Sequence, residues 1–457
     1  MIVCKFGGSS VDGAAGIERV AAILRPRLAA RPVVVVSAMA KSTRRLLESA
    51  EAAAAGNLAG ALAACEELYA FHRREGEAAV PQASLAPLAA AVERSFGELR
   101  ALLVRLAREH RLTPRDADAA AAFGEVLASE ILAMALPGFG VPAAWIDARR
   151  VMVTDAAFTR AQPLYEETDE RLRAALQPVV GSGAVPVVGG YIGATRDGIV
   201  TTLGKEGSDF SAAVVGAALG ATEVQIWTDV DGILTADPRL VPGVRLVPSL
   251  SFAESLELAC SGTKKPHPGT LGPAARAGVP IRVLNSLAEG PGTLIGKRGA
   301  GAPPTVRSLA WRPNDHLLHV ARGATPEAAF TAKVVAAVER LRPALLVLRW
   351  DADGADLALD HRDRLTEARQ ELAAAGEIGV LHGRAVVSAV TEDFATDVGL
   401  AAEVARAMAA AGAHQPCLVV TGAAAPAVRC LVEIEDLPAA VNELHRRLFD
   451  RGGLPDH

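Results

Sequence analysis

Short apolar runs alternate with longer amphipathic stretches over the first 296 residues. Ile2 to Phe6 predicts a buried strand, and Gly7-Gly8-Ser9-Ser10 turns it into a helix from about Ala15 to Ala29. Val33 to Val36 is an unbroken β-branched run, the mark of a central parallel strand buried on both faces. From Ser42 to about Arg111 the pattern is helical and rich in alanine, and a further helix is predicted from about Ala117 to Leu136. Together they predict a helical subdomain over about 42–136. Val185 to Val188, Ile199 to Thr202, Val224 to Thr228 and Ile281 to Leu284 predict more strands. A helix follows the loop Gly204-Lys205-Glu206-Gly207-Ser208-Asp209 and runs to about Ala218. Strands alternating with helices predict an α/β domain over 1–296, with a mainly parallel central sheet flanked by helices.

The pattern then changes. Gly290 to Pro304 is rich in glycine and proline, and residues 297–313 are expected to be a linker. Beyond it, strand, helix, two strands, helix and strand are predicted between Leu317 and Leu381. A similar order recurs from Ala385 to Phe449. The expectation is two ferredoxin-like βαββαβ modules, over 314–383 and 384–457.

Composition narrows the possibilities. The 457 residues carry a formal net charge of -5 with no basic stripe, which argues against a nucleic-acid partner. Cys4, Cys65, Cys260, Cys417 and Cys430 are scattered without metal-ligand spacing, so no metal site is expected and a reducing cytoplasm fits. No run of 18 apolar residues appears, so no membrane association is expected. Arginine far outnumbers lysine, yet Lys5, Lys41, Lys205, Lys264 and Lys265 all lie in segments containing Gly, Ser or Thr. Chance accounts for that clustering as simply as a need for compact ammonium groups does.

Five segments carry candidate chemistry. In Lys5-Phe6-Gly7-Gly8-Ser9-Ser10 a strand ends in paired glycines, where backbone N–H groups can approach an anion and a lysine can reach it. It is not a GxxxxGK[ST] loop, and a plain strand-to-helix turn fits equally well. Gly204 to Asp209 opens a helix whose N-terminus could take an anion or simply be capped. Thr228-Asp229-Val230-Asp231-Gly232 and Asp237-Pro238-Arg239 follow a strand's carboxyl end, where open α/β sheets bind ligands. A polar turn is the plain alternative there. Gly262-Thr263-Lys264-Lys265-Pro266 could hold phosphates or be solvated. Phe123-Gly124-Glu125 sits early in a helix, where the glycine could admit a ligand and the carboxylate pair with an ammonium. A solvated glutamate beside a tolerated glycine explains it more simply.

Taken together and in order, these segments resemble aspartate kinase, of the amino-acid kinase superfamily. Val36 to Thr43, Asp147-Ala148-Arg149 and Val188 to Gly193 extend the likeness over residues 1 to 296. The resemblance implies an amino-acid kinase-type fold and transfer of the ATP γ-phosphoryl to the side-chain carboxylate of L-aspartate. It implies that Lys5 and the Gly7/Gly8 backbone hold the migrating phosphoryl, beside Ser9. Asp209 would organise the lysines, and Lys264 would contact nucleotide phosphates. Thr228, Asp229 and Arg239 would line the ATP site, while Ser37, Thr43, Glu125 and Lys205 face the amino acid. Such chemistry asks for positioning and charge neutralisation, with Mg2+ held mainly by ATP and water.

Departures accompany the likeness. Position 205 is usually Arg in the family; Lys keeps the charge and loses the planar fork. Position 206 is usually Gly, and Glu206 at ~5 Å from a phosphate would be repelled by about 3 kcal/mol at an effective dielectric near 20. Leu234 replaces a common aromatic, and Lys265-Pro266 replaces an apolar pair. The tail resembles paired ACT domains, which bind lysine or threonine in this family. It lacks the family's helix-start pattern, with Ala344 to Leu348 in its place, which argues against lysine feedback. The expected partners are small molecules and a second copy of the chain, dimerising through these modules. Two other readings stand beside the first: a kinase for another carboxylate-bearing amino acid, and a weakly catalytic nucleotide-binding subunit.

Overall fold

The computed structural model describes residues 1–263, 266–297, 306–313, 317–341, 345–350, 352–359, 365–392, 398–414, 417–420 and 426–450. The elements follow one another as β1 (Ile2–Phe6), α1 (Gly13–Leu24), β2 (Pro32–Val36), α2 (Ser42–Ala54), α3 (Leu58–Ala79), α4 (Leu85–Glu109) and α5 (Pro114–Ala135). Next come β3 (Ala143–Ile146), α6 (Ala148–Val151), α7 (Tyr165–Gly181), β4 (Val185–Gly189), β5 (Ile192–Ala194), β6 (Val200–Thr202), α8 (Gly207–Leu219) and β7 (Glu223–Thr228). Then follow β8 (Ser249–Ser251), α9 (Phe252–Cys260), α10 (Pro268–Ala277), β9 (Ile281–Asn285), β10 (Thr293–Gly296), β11 (Ser308–Pro313), β12 (Leu317–Ala321) and α11 (Glu327–Leu341). The chain closes with β13 (Leu345–Trp350), β14 (Gly354–Leu359), α12 (Leu365–Leu372), β15 (Glu377–Leu381), β16 (Arg384–Val390), α13 (Val398–Ala410), β17 (Cys417–Val420), β18 (Ala427–Glu433) and α14 (Leu437–Phe449).

Two compact units emerge: Met1–Ile233 with Pro266–Lys297, and Leu234–Lys265 with Arg298–His457. In the first, the strands run in the order β3-β4-β2-β1-β7-β9-β10. All neighbours are parallel except β10, which pairs antiparallel with β9. Every residue of β1, β2 and β4 is buried, as expected of strands covered on both faces. The helical subdomain packs Leu46, Leu68, Leu88, Leu99, Leu103 and Leu127 into the core shared with Phe6 and Val36. Helix α5 begins earlier than the periodicity predicts, because Thr113 and Asp116 form a capping box ahead of Pro114. With the turn after it, α5 is long and apolar enough to cross a membrane, but most of its apolar window is buried inside this unit. Its apolarity belongs to the core.

The second unit holds two antiparallel four-stranded sheets, ordered β13-β14-β12-β15 and β11-β16-β18-β17. The first has the ferredoxin-like order expected of residues 314–383. The second corrects the expected linker over 297–313. Ser308–Pro313 is a strand, paired along β16 from Ser308↔Val390 to Pro313↔Ala385. Leu309 and Ala310 are buried, a signal hidden by the glycine- and proline-rich run before them. The first module is thus inserted between β11 and β16 of the second. The expected continuous domain over 1–296 is also interrupted, since 234–263 folds with the second unit: Ala236 and Val241 join Leu309, Val387, Val428 and Leu444 in one apolar cluster.

Candidate active site

The parallel register brings one edge of the first unit's sheet into focus. Phe6 lies between Val36 and Trp227, Gly189 lies beside Val36, and Thr228 beside Asn285. The loops that follow β1, β2, β4, β7 and β9 therefore leave the same carboxyl edge, where open α/β sheets bind ligands.

The loop after β1 is shaped by its neighbours. The Gly7 N–H donates to the Trp227 carbonyl at 3.2 Å, so this amide is not available to a phosphoryl group as expected. The N–H groups of Gly8 and Ser9 meet no acceptor among the described residues. A Cβ on Gly8 would lie 2.9 Å from both the Ala38 and Ala40 carbonyls, so only glycine fits that crossing. Ser10 fixes the loop's far end: its Oγ lies 2.8 Å from Ser286 Oγ, and Ser286 donates to the Thr228 carbonyl. The sequence reading missed Ser286; its position just past a strand end was the available signal.

Lys5 is 4% exposed, and a Cβ on Gly7 would lie 3.6 Å from its Nζ. Nζ stands 2.5 Å from Asp209 Oδ1. The approach is off the hydrogen-bond line, and both buried oxygens of Asp209 lack a donor in hydrogen-bond geometry among the described residues. Asp209 is in the first turn of α8, where a negative charge complements the helix dipole. The site thus joins an ammonium, two unused amides and a carboxylate that holds the ammonium in place.

Across the loop, Ser37 is half-buried and its N–H donates to the Phe6 carbonyl at 3.1 Å. Thr43 Oγ1 donates to Glu125 Oε1 at 3.0 Å. Glu125 is 3% exposed, and burial pushes its pKa up to about 8 against the restraint of the Thr43 hydroxyl and the Ala38 amide. The solvated glutamate that looked simplest from sequence is therefore excluded. Gly124 plays a different part from the expected ligand approach: its missing Cβ would meet Ala38 Cβ at 2.9 Å and Leu46 Cδ1 at 3.3 Å. It lets α5 press against the start of α2.

Lys205 is exposed on the turn before α8. Glu206 takes φ +54° and ψ +28° there, in the left-handed region. A backbone that favours glycine explains the family's usual residue at this position better than phosphate repulsion does. Thr228 is buried and its hydroxyl donates to Asp229 Oδ1 at 3.0 Å, while Asp229 is exposed at the loop's start. Arg239 belongs to the second unit, paired with Asp237 through Nη2 to Oδ2 at 2.6 Å. Lys264 and Lys265 lie outside the described residues.

Comparison with known proteins bears on the family. The model of the amino acid kinase family matches residues 1–285. Lysine-sensitive aspartokinase 3 of Escherichia coli is 31% identical over 98% of this chain and 99% of its own length. Aspartokinase 1, chloroplastic, of Arabidopsis thaliana is 30% identical over 99% of this chain and 81% of its own. The crystal structure of E. coli aspartokinase III in complex with aspartate and ADP matches with a TM-score of 0.81 at 30% identity, covering 98% of this chain and all of that one. The chain belongs to the amino acid kinase family and, within it, to the aspartokinases.

Proposed function

We propose that the chain transfers the γ-phosphoryl of ATP to the side-chain carboxylate of L-aspartate. The observation that carries this reading is the buried Lys5–Asp209 pair beside the unused amides of Gly8 and Ser9. A carboxylate oxygen attacks the γ-phosphorus, the bond to the β–γ bridging oxygen breaks, and ADP leaves with that electron pair. Lys5 and the two amides neutralise the equatorial oxygens as charge shifts toward the leaving group. Asp209 holds Lys5 in place. Glu125 and Thr43, with Ser37 and Lys205, orient the amino acid so that its side-chain carboxylate faces the phosphoryl.

Thr228, Asp229 and Arg239 are proposed to line the nucleotide, and Lys264 to contact its phosphates. Magnesium would arrive with ATP, held by phosphate oxygens and water, and would supply further charge neutralisation. The aspartate and ADP bound by the E. coli relative support both substrates. A dimer through the ferredoxin-like modules belongs to the proposal too, supported by the exposed Val335 and Trp350 of the first module.

Trapping the acyl phosphate with hydroxylamine tests the reaction. Hydroxamate should form only with ATP, magnesium and aspartate together; its absence would overturn the reading. Lys205 motivates one alternative, a kinase for a different carboxylate-bearing amino acid. It would prevail if a panel of acids gave hydroxamate with another member and not with aspartate.

A further inference from the structure

Residues 155–162 form a tight loop that carries an arginine no role above absorbs. Asp155 Oδ1 accepts from the amides of Ala157 and Gln162 at 3.1 and 3.0 Å. The loop is fastened to the core by Asp118 of α5. The Thr159 amide donates to both Asp118 oxygens, at 3.1 and 2.9 Å. Thr202 of β6 adds its amide at 3.0 Å and its hydroxyl at 2.6 Å. Asp118 is 1% exposed, and these donors are what make a buried carboxylate tolerable. Asp118 lies two turns before Glu125 on the same helix, so both point from one face. The same carboxylate therefore ties the loop, β6 and the helix bearing Glu125 together.

The fastening holds a strained corner. Thr159 sits at φ +69°, a costly conformation for a β-branched residue. That corner abuts Gly204. A Cβ on Gly204 would lie 3.3 Å from the Thr159 carbonyl, 3.6 Å from Arg160 Cα and 3.8 Å from Arg160 Cβ. Gly204 immediately precedes Lys205. Arg160 and Lys205 are both exposed, and neither side chain has an ion pair or hydrogen bond among the described residues. Some arginines of this unit, such as Arg149, Arg173 and Arg196, face an acid, whereas Arg160, like Arg108 and Arg115, has no acid partner among the described residues. With Arg160 Cα and Cβ this near Gly204, the residue before Lys205, the two side chains start from adjoining backbone and both can reach one anion.

We propose that Arg160 grips a carboxylate of the amino-acid substrate, supplying beside Lys205 the planar two-pronged contact that a lysine at position 205 cannot make. This rests on the aspartate kinase reading. The carboxylate in question is the α-carboxylate, because the side-chain carboxylate must stay free to attack phosphorus. A guanidinium fork matches a carboxylate with two parallel N–H···O bonds, whereas an ammonium offers a point charge.

Steady-state kinetics with both substrates tests the assignment. Arg160→Ala should raise KM for aspartate about tenfold or more and leave KM for ATP within twofold. Arg160→Lys should not rescue it, because the fork is what matters. Lys205→Arg in the Arg160→Ala background should bring KM for aspartate back to within about threefold of wild type. With the α-amide of aspartate as substrate, Arg160→Ala should add no further penalty. An unchanged KM for aspartate, an equal rise in KM for ATP, or the same penalty on the α-amide would overturn the proposal. Calorimetric aspartate binding to wild type and Arg160→Ala separates this from the reaction itself. If wild type binds aspartate but makes no acyl phosphate, the reaction assignment falls while a tenfold affinity loss still upholds Arg160. If wild type binds no aspartate, both fall.

Discussion

Thr43 Oγ1 donates to Glu125 Oε1, and the opposite oxygen, Glu125 Oε2, is buried with no hydrogen-bond partner among the described residues. The threonine comes from the first turn of α2 and the glutamate from the middle of α5, so two helices close on one carboxyl group. A buried polar oxygen without a partner is costly, and a substrate ammonium facing the ionised carboxylate would supply what is missing.

The pH dependence of substrate binding follows from that carboxyl group. Burial raises its pKa from 4.5 to about 8, so at pH 7 the free protein holds it mostly protonated. Pairing with an ammonium requires the ionised form, so aspartate binding expels a proton. KM for aspartate should fall about tenfold per unit as pH rises from 6 towards 8, then level off. Calorimetry in buffers of different ionisation enthalpy should show close to one proton released per aspartate at pH 6.5. Binding heats independent of buffer would show that Glu125 does not pair with the ammonium.

Lys5 and Asp209 form a pair in which each makes the other tolerable. Removing one leaves a buried, unpaired charge, which costs about 3–5 kcal/mol. Lys5→Met and Asp209→Leu should each lower stability by roughly that amount and reduce turnover by on the order of 10³. The double variant should recover most of the stability and none of the turnover. Urea unfolding beside hydroxamate formation separates the two effects. Recovered activity in the double variant would remove Lys5 from the reaction.

What the sequence shows of this site, and what it conceals, has physical causes. Lys5, Gly8 and Asp209 lie in glycine-containing motifs at a strand or helix end and Glu125 beside Gly124 inside a helix, so these segments stood out in the sequence. The valine run of β2 announced the sheet's centre. Gly124 and Glu206 misled, because tight packing against Ala38 and a positive φ are properties of the folded backbone, invisible in composition. Asp118 gave no signal: its donors, Thr159 and Thr202, lie 41 and 84 residues away. Strand β11 stayed hidden because its partner, β16, lies beyond an entire inserted module.

Glu206 offers a direct test of backbone strain. A non-glycine residue in the left-handed region pays about 1–2 kcal/mol, and glycine returns about 0.5–1 kcal/mol of that through its freer unfolded chain. The Glu206 side chain makes no capping hydrogen bond to offset the cost. Glu206→Gly should therefore stabilise the protein by about 0.5–1 kcal/mol, read as a higher urea midpoint at unchanged slope. A lower midpoint would mean that the carboxylate contributes more at the start of α8 than its backbone costs.

The interrupted organisation of the first 296 residues predicts that they cannot stand alone. Segment 234–263 buries Ala236 and Val241 against Leu309, Val387, Val428 and Leu444. Thr235 Oγ1 pairs with His445 Nε2 at 2.9 Å, and Asn442 donates to the Leu240 carbonyl at 2.7 Å. Arg429 forms a buried ion pair with Glu257 of α9 at 2.5 Å. A chain ending at residue 297 loses all of these partners, strands Glu257 and exposes the apolar side chains. Limited proteolysis of that fragment should cut first between residues 234 and 263, while sites within α5 and α8 stay protected. The intact chain should resist under the same conditions. Equal resistance of this segment in both would show that it folds without the modules, and that the expected continuous domain over 1–296 is the better description.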